Sequence, residues 1–223
     1  AEYAINGFDL DLAQSATGLP NAAASVQTTP LWGTTAGTPI TTTFMLPSCE
    51  NVDFARLYLD IYSGTSFSSA QVSATLNGQS LQLLDIGGTG NTSGTGLPGD
   101  ANPATRDTSA TCVYGSGFGF WQIAYAGVAG LLNTDGTENT LTFTVTDTST
   151  GVNASTGSPY TFDGRSYGAT LVSVYSDPSI QQTLDYQLFE GDVLLRSTTS
   201  STQPRPEKKQ STSFVIDDVD ISN

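Results

Sequence analysis

Leu141-Thr142-Phe143-Thr144-Val145-Thr146 decides the fold. Apolar and hydroxyl side chains alternate strictly along it, the period of a strand with one face on a core and the other on water. Threonine is β-branched, so it suits an extended backbone without adding charge. The same period recurs outward from this segment. In Phe54-Ala55-Arg56-Leu57-Tyr58-Leu59-Asp60-Ile61-Tyr62, the bulky Leu57, Leu59 and Ile61 alternate with Arg56, Tyr58 and Asp60. Val72-Ser73-Ala74-Thr75-Leu76 runs into Asn77-Gly78, and Leu81-Gln82-Leu83 follows. Asn-Gly between alternating runs is a strong hairpin signal, because a type I′ turn needs positive φ at both central residues.

Further strands are expected at 40–46, 118–125, 167–175, 184–189 and 214–221, with one short helical turn at 127–133. No long amphipathic helix is visible. About ten short strands joined by turn residues predict an all-β chain, an antiparallel β-sandwich of jelly-roll-like type. It reads as one domain over 1–223, with long Gly/Thr-rich loops. Residues 87–106 and 147–159 are loop-like. So is 197–212, a flexible connector whose Pro204-Arg205-Pro206-Glu207-Lys208-Lys209 holds 3 of the 7 basic residues.

Composition excludes much chemistry. The 223 residues include no histidine, 33 Thr and 25 Ser, and 21 acidic against 7 basic residues, a formal charge of -14. Without histidine there is no Ser-His-Asp or Cys-His catalysis, no imidazole metal site and no histidine pH switch. Net acidity repels phosphate backbones, which excludes nucleic acid as the expected partner. Only 13% of residues are charged, so Thr and Ser occupy strand positions where a soluble enzyme places Lys and Glu. No apolar run is long enough for a transmembrane helix. The chain begins Ala1-Glu2-Tyr3, which fits a secreted protein whose signal peptide has been removed; a fragment cut at a domain boundary reads the same.

Cys49 and Cys112 are the only cysteines. In an oxidising compartment they are expected to form one disulfide, worth about 4 kcal/mol on the loop-entropy model. Two buried free thiols and a bond between subunits are the other readings. Asn91-Thr92-Ser93 and Asn153-Ala154-Ser155 are glycosylation sequons in Gly/Ser/Thr-rich stretches, and they weakly support secretion.

Several segments together resemble one family. They are Leu57-Tyr58-Leu59 with Ile61-Tyr62-Ser63-Gly64, Leu76-Asn77-Gly78, Tyr125 to Leu132 followed by Gly136 and Asn139, and the block Asp163-Gly164-Arg165-Ser166-Tyr167-Gly168-Ala169-Thr170-Leu171-Val172-Ser173-Val174-Tyr175-Ser176-Asp177. Their order and spacing look like domain of unknown function 3344, over roughly residues 40–195. The resemblance implies a β-rich module of secreted and cell-surface proteins from methanogenic archaea and some bacteria, at times in sheath-like coats. It offers no catalytic residues. Asp185-Tyr186-Gln187-Leu188-Phe189-Glu190-Gly191-Asp192 departs from the family, whose members tend to carry a Trp and often a His there. Physically, the Asp163–Asp177 block reads as a turn entering a core strand, with Gly164 and Gly168 allowing tight backbone and Asp163 and Arg165 bracing it.

The remaining candidates are weighed by their surroundings. Asp9 and Asp11, Asp217, Asp218 and Asp220, and Asp135-Gly136-Thr137-Glu138-Asn139 are weak calcium candidates. Alternating strands present the same residues on a solvated face, so no cofactor is expected. Five glutamates, none in an aromatic-rich motif, give no glycosidase pair, and the chain is expected not to be an enzyme. Trp32, Trp121 and the tyrosines read as core first and sugar-stacking second. The ends carry more information. Tyr3, Ile5, Phe8, Leu10 and Leu12 in 1–12, and Phe214, Ile216, Val219 and Ile221 in 213–223, form strand-like termini. Each completes its own sheet or enters the sheet of the next subunit. The expected function is a secreted structural protein that assembles with identical subunits into a surface filament, sheath or coat. A surface adhesion or carbohydrate-binding module, with glycans as partners, is the alternative.

Overall fold

A computed structural model describes residues 11–31, 36–63, 68–87, 108–115 and 118–190. The chain divides into two units, Ala1–Asp192 and Val193–Asn223, and every described residue belongs to the first.

The described part of that unit is all-β and antiparallel. Strands β1 (Asp11–Pro20), β2 (Ala22–Pro30), β3 (Ile40–Met45), β4 (Asn51–Ser63), β5 (Ser69–Leu76), β6 (Gln79–Ser80), β7 (Leu84–Gly87), β8 (Thr108–Gly115), β9 (Phe118–Tyr125), β10 (Glu138–Asp147), β11 (Arg165–Ser176) and β12 (Thr183–Glu190) follow in chain order, with a 3-10 turn at Ala129–Leu131. One sheet has the order β2-β11-β4-β9-β8. The other runs β3-β10-β5, and both β6 and β7 pair with β5. Strands β1 and β12 form a separate two-stranded ribbon.

The period-two reading of the sequence places the core. Leu141, Phe143 and Val145 of β10 face inward beside Phe44 of β3 and Val72, Ala74 and Leu76 of β5. Leu57, Leu59 and Ile61 of β4, Ile123 and Tyr125 of β9, and Ala169 and Leu171 of β11 close the same cluster from the other sheet. Apolar faces of two sheets meeting in one core is the arrangement of a β-sandwich. Strand β4 departs from simple alternation, since Arg56 and Tyr58 are buried on its other face at 3% and 8% exposure. It is a central strand closed on both sides.

Three local features depart from the sequence reading. The hairpin at Asn77-Gly78 forms, with φ of 51° and 77°, but only Gln79 and Ser80 return along β5 before the chain leaves the ladder. Leu81–Leu83, expected as strand, is irregular, and Leu83 is 53% exposed. Pairing resumes at Leu84, so this edge strand is broken in two. Strands β2 and β8 were not anticipated: Ala22-Ala23-Ala24 is poor in β propensity, and β8 directly follows a Gly/Pro-rich stretch.

At Asn21 the chain turns a corner from β1 into β2. Asn21 is left-handed (φ 53°), a conformation that Asn tolerates. The Asp177 N–H donates to Asn21 O and the Gln182 side chain to Ala22 O, which ties this corner to the parallel bend between β11 and β12. Tyr186 of the ribbon meets Phe54 of β4 with ring centroids 5.9 Å apart.

Candidate functional surfaces

The Asp163–Asp177 block starts on a turn and continues as β11. Gly164 is left-handed (φ +69°), and a Cβ there would lie 2.9 Å from Ala36 Cα. The Ala36 N–H donates to Asp163 O, so the two segments are held in contact. Arg165 pairs with the Asp163 carboxylate through both Nε and Nη2. Its guanidinium also lies 4.3 Å above the Tyr62 ring, and Tyr62 meets Tyr167 edge to face at 5.9 Å. The Asp163 hydrogen bond is the main cause holding Arg165 above its ordinary pKa. A β-bulge between Ser166 and Gly168 brings Tyr167 to the surface, 40% exposed. Beside this group Asp60 is half-buried, and burial pushes its carboxyl up against the opposing effect of a Gln122 hydrogen bond. The expected brace is therefore present, widened by two tyrosines that the sequence reading had not attached to it.

The sheet edges are the second surface. Among the described residues β2 ends one sheet and β3 ends the other. Neither carries a charged residue, nor does β8 at the opposite end of the first sheet. Val26 of β2 is 68% exposed and Met45 of β3 is 56% exposed. Gln27 of β2 reaches across to β3: its Nε2 donates to Met45 O and its Oε1 accepts the Met45 N–H at 2.8 Å. Edge strands ordinarily carry charge, proline or bulges that block addition of another strand. Here one amide side chain spans the seam.

The cysteines do not pair. Cys49 is a buried free thiol. Burial, then the charges of Asp177 and Asp53, raise its pKa. Register gives the reason. Cys112 in β8 lies opposite Trp121 in β9, which lies opposite Ile61 near the far end of β4. Cys49 precedes the near end of that strand. At ~3.3 Å per residue the two ends are roughly 30 Å apart, whereas a disulfide needs Cα atoms within ~7 Å. The expected intrachain bridge is corrected to a free Cys49.

The other predicted site residues are placed as follows. Tyr3, Ile5, Phe8, Asp9 and Leu10 lie outside the described residues, as do Phe214, Ile216, Asp217, Asp218, Val219, Asp220 and Ile221. So does Asn91. Asp11 and Leu12 enter β1, where their backbones pair with Glu190 and Phe189 of the same chain. Asn153 sits in a loop closed by a bridge between Val152 and Pro159, and its Oδ1 accepts the Ser155 N–H at 2.9 Å. Asp135 is exposed and bonds Thr137, which lowers its pKa. Among the described residues no group of three or more His, Cys, Asp or Glu gathers as a metal site, and no helix is long and apolar enough to cross a membrane. Asn139, read in the sequence as part of the family pattern and of an oxygen-rich turn, is fully buried: its Oδ1 accepts from Asn77 Nδ2 and from the Asn133 N–H.

A family model described as "Protein of unknown function (DUF3344)" matches residues 21–223. The chain belongs to this family. The match includes the Asp163–Asp177 block and the uncharged edge strands β2 and β3 of the DUF3344 chain. No curated protein matches it. One solved structure, the catalytic unit of a thermostable GH87 α-1,3-glucanase from Streptomyces thermodiastaticus strain HF3-3, is similar at 13% identity over 73% of this chain, with a TM-score of 0.28. The chain spans 27% of that structure, and at that TM-score the likeness carries no argument about activity.

Proposed function

We propose that this DUF3344 protein is a non-enzymatic, extracellular structural subunit that assembles with copies of itself into a surface filament, sheath or coat by strand addition. The observation that carries the reading is that edge strands of both sheets, β2 and β3 among them, are free of charge in a chain of net charge -14. Every copy repels every other at long range. Contact is favourable only where no unpaired charge is buried, and these edges meet that condition. Backbone hydrogen bonds supply the affinity in strand addition, and alternate side-chain positions supply the fit. A head-to-tail contact of this kind polymerises wherever its rotation does not close a ring. The test is negative-stain microscopy and sedimentation of the full chain at high concentration. Polymers are expected; a monodisperse monomer overturns the reading.

A second reading, adhesion or carbohydrate binding, is favoured by the Tyr62–Tyr167 pair beside the Asp163–Arg165 ion pair, since aromatic rings next to fixed polar groups suit sugar faces. A glycan array separates the two readings: binding lost in Tyr167→Ala supports the second, and an empty array removes it.

A further inference from the structure

One side-chain contact fixes the backbone direction of the β3 edge. The Met45 N–H and C=O both bond Gln27, so both point off the sheet, away from β10. In an antiparallel strand, residues two apart turn their backbone groups to the same side. Thr43 and Thr41 therefore also point theirs off the sheet, while Phe44 and Thr42 supply the ladder opposite Asn139 and Leu141. The far side of β10 agrees. The Asn77 N–H donates to Thr140 O and the Thr140 N–H donates to Asn77 Oδ1. Thr140 thus faces β5, and its neighbours Asn139 and Leu141 face β3. The outer edge of β3 is a row of strand-pairing groups from Thr41 to Met45. At the Met45 end an amide copies the donor and acceptor of an incoming strand.

We propose that this edge is the acceptor for the C-terminal segment 213–221 of a second copy, and that Gln27 is a latch displaced as that segment enters. The proposal rests on the assembly reading above and names its acceptor and its donor. Charge selects the donor. Residues 1–12 carry Glu2, Asp9 and Asp11 and no cationic side chain. Residues 213–221 likewise carry Asp217, Asp218 and Asp220 and no cationic side chain, but they follow closely on Arg205, Lys208 and Lys209, whereas Asp11 and Leu12 already pair with Glu190 and Phe189 of β12 in their own chain. The Met45 end of β3 is acidic: Glu138 lies directly opposite Met45, and Asp135 precedes it. An N-terminal donor brings its three carboxylates to that end with no cation near them, whereas the C-terminal segment brings as many but arrives behind its own cations. Phe214 and Ile216 supply the alternation that strand addition reads, and β3 carries no charge to oppose it.

The experiment compares the full-length protein with Thr43→Pro, Gln27→Ala and Ile216→Pro by light scattering and negative-stain microscopy. Thr43→Pro removes an N–H aimed off the sheet and leaves the β10 ladder whole, a position where edge strands accept proline. Its critical concentration for assembly should rise about tenfold, the effect of one lost backbone hydrogen bond. Thr43→Lys, which leaves the backbone intact and adds an edge charge, should act in the same direction and covers any folding defect of the proline variant. Gln27→Ala should assemble faster than wild type, and Ile216→Pro should match Thr43→Pro. Wild-type polymers with unimpaired Thr43→Pro and Thr43→Lys overturn the acceptor and leave the assembly reading standing. Unimpaired Ile216→Pro overturns the donor, and Gln27→Ala that assembles no faster overturns the latch. Absence of wild-type polymer overturns the assembly reading itself.

Discussion

Gly164 and Gly78 both hold left-handed backbone, φ +69° and +77°, but only at Gly164 would a Cβ meet a neighbour. Comparing the two separates conformational strain from steric clash. Gly78→Ala should cost about 1 kcal/mol, the left-handed penalty alone. Gly164→Ala should cost about 3 kcal/mol, because overpacking against the Ala36 backbone adds to it. Urea denaturation of the two variants checks the difference. Asp60 sets a pH dependence of definite sign. An acid whose folded pKa is raised binds its proton more tightly in the fold than in the unfolded chain. It therefore favours folding below the ordinary carboxylate range and opposes it as pH rises through the raised value. Asp60→Asn should raise the thermal midpoint at neutral pH and leave it nearly unchanged in acid; an equal shift at both overturns the assignment. Asp135 and Asp177 act oppositely, since hydrogen bonds from Thr137 and Ser179 lower their pKa values. Asp135 is exposed and Asp177 only half-buried, so their effect is small.

Among elements, register rather than side-chain chemistry decides the cysteine question. Because β8 joins β4 through β9 at the Ile61 end, Cys112 cannot reach Cys49 without dismantling two ladders. Reducing agent should leave the thermal midpoint unchanged, and the Cys49 thiol should titrate in denaturant without prior reduction. Cys49 should label slowly in the folded protein, since burial and two neighbouring carboxylates hold its thiol protonated. A midpoint lowered by reductant would restore the disulfide. The strands that alternate were legible in the sequence: β10, β4, β5 and the Asn77-Gly78 turn all carry a period that local residues alone determine. Strand β2 was not, because its alanines have weak intrinsic preference and its pairing with β11 is long-range. Leu81–Leu83 misled for the converse reason, having the right alternation but losing its ladder to tertiary context. The Asp163–Arg165 brace was legible from spacing. The part played by Gln27 was not, since no local pattern marks a glutamine whose amide meets the backbone of another sheet.

At the scale of the molecule, charge is uneven. Residues 1–192 carry 17 acidic and 3 basic residues, while 193–223 carry 4 of each. Such a body repels its copies over the Debye length, ~30 Å at 0.01 M salt and ~8 Å at physiological strength. Raising ionic strength across that range should therefore speed assembly and lower its critical concentration, with little change in the thermal midpoint of the subunit. Static light scattering against salt tests this; assembly that weakens with salt would indicate an interface held by ion pairs. The surface of Thr and Ser is consistent with a contact that depends on shape and backbone bonding. Thr41 and Thr142, and Thr28 and Thr170, already pair their hydroxyls across strands at 2.9 Å, so each sheet presents a preordered polar face.

The Asn77-Gly78 turn bears on chemical ageing. An asparagine followed by glycine is the sequence most prone to deamidation, because the glycine nitrogen meets little hindrance in attacking the side-chain amide. Here that amide is tethered on three sides: Nδ2 to Leu131 O and Asn139 Oδ1, and Oδ1 to the Thr140 N–H. Cyclisation would have to break all three bonds and swing the side chain back over its own backbone. The turn that specifies the hairpin is thereby protected by the hairpin it specifies, and isoaspartate should accumulate at residue 77 only in chains that have unfolded. A polymer built from such subunits would age from its unfolded fraction, and its lifetime outside a cell would follow the stability of the fold.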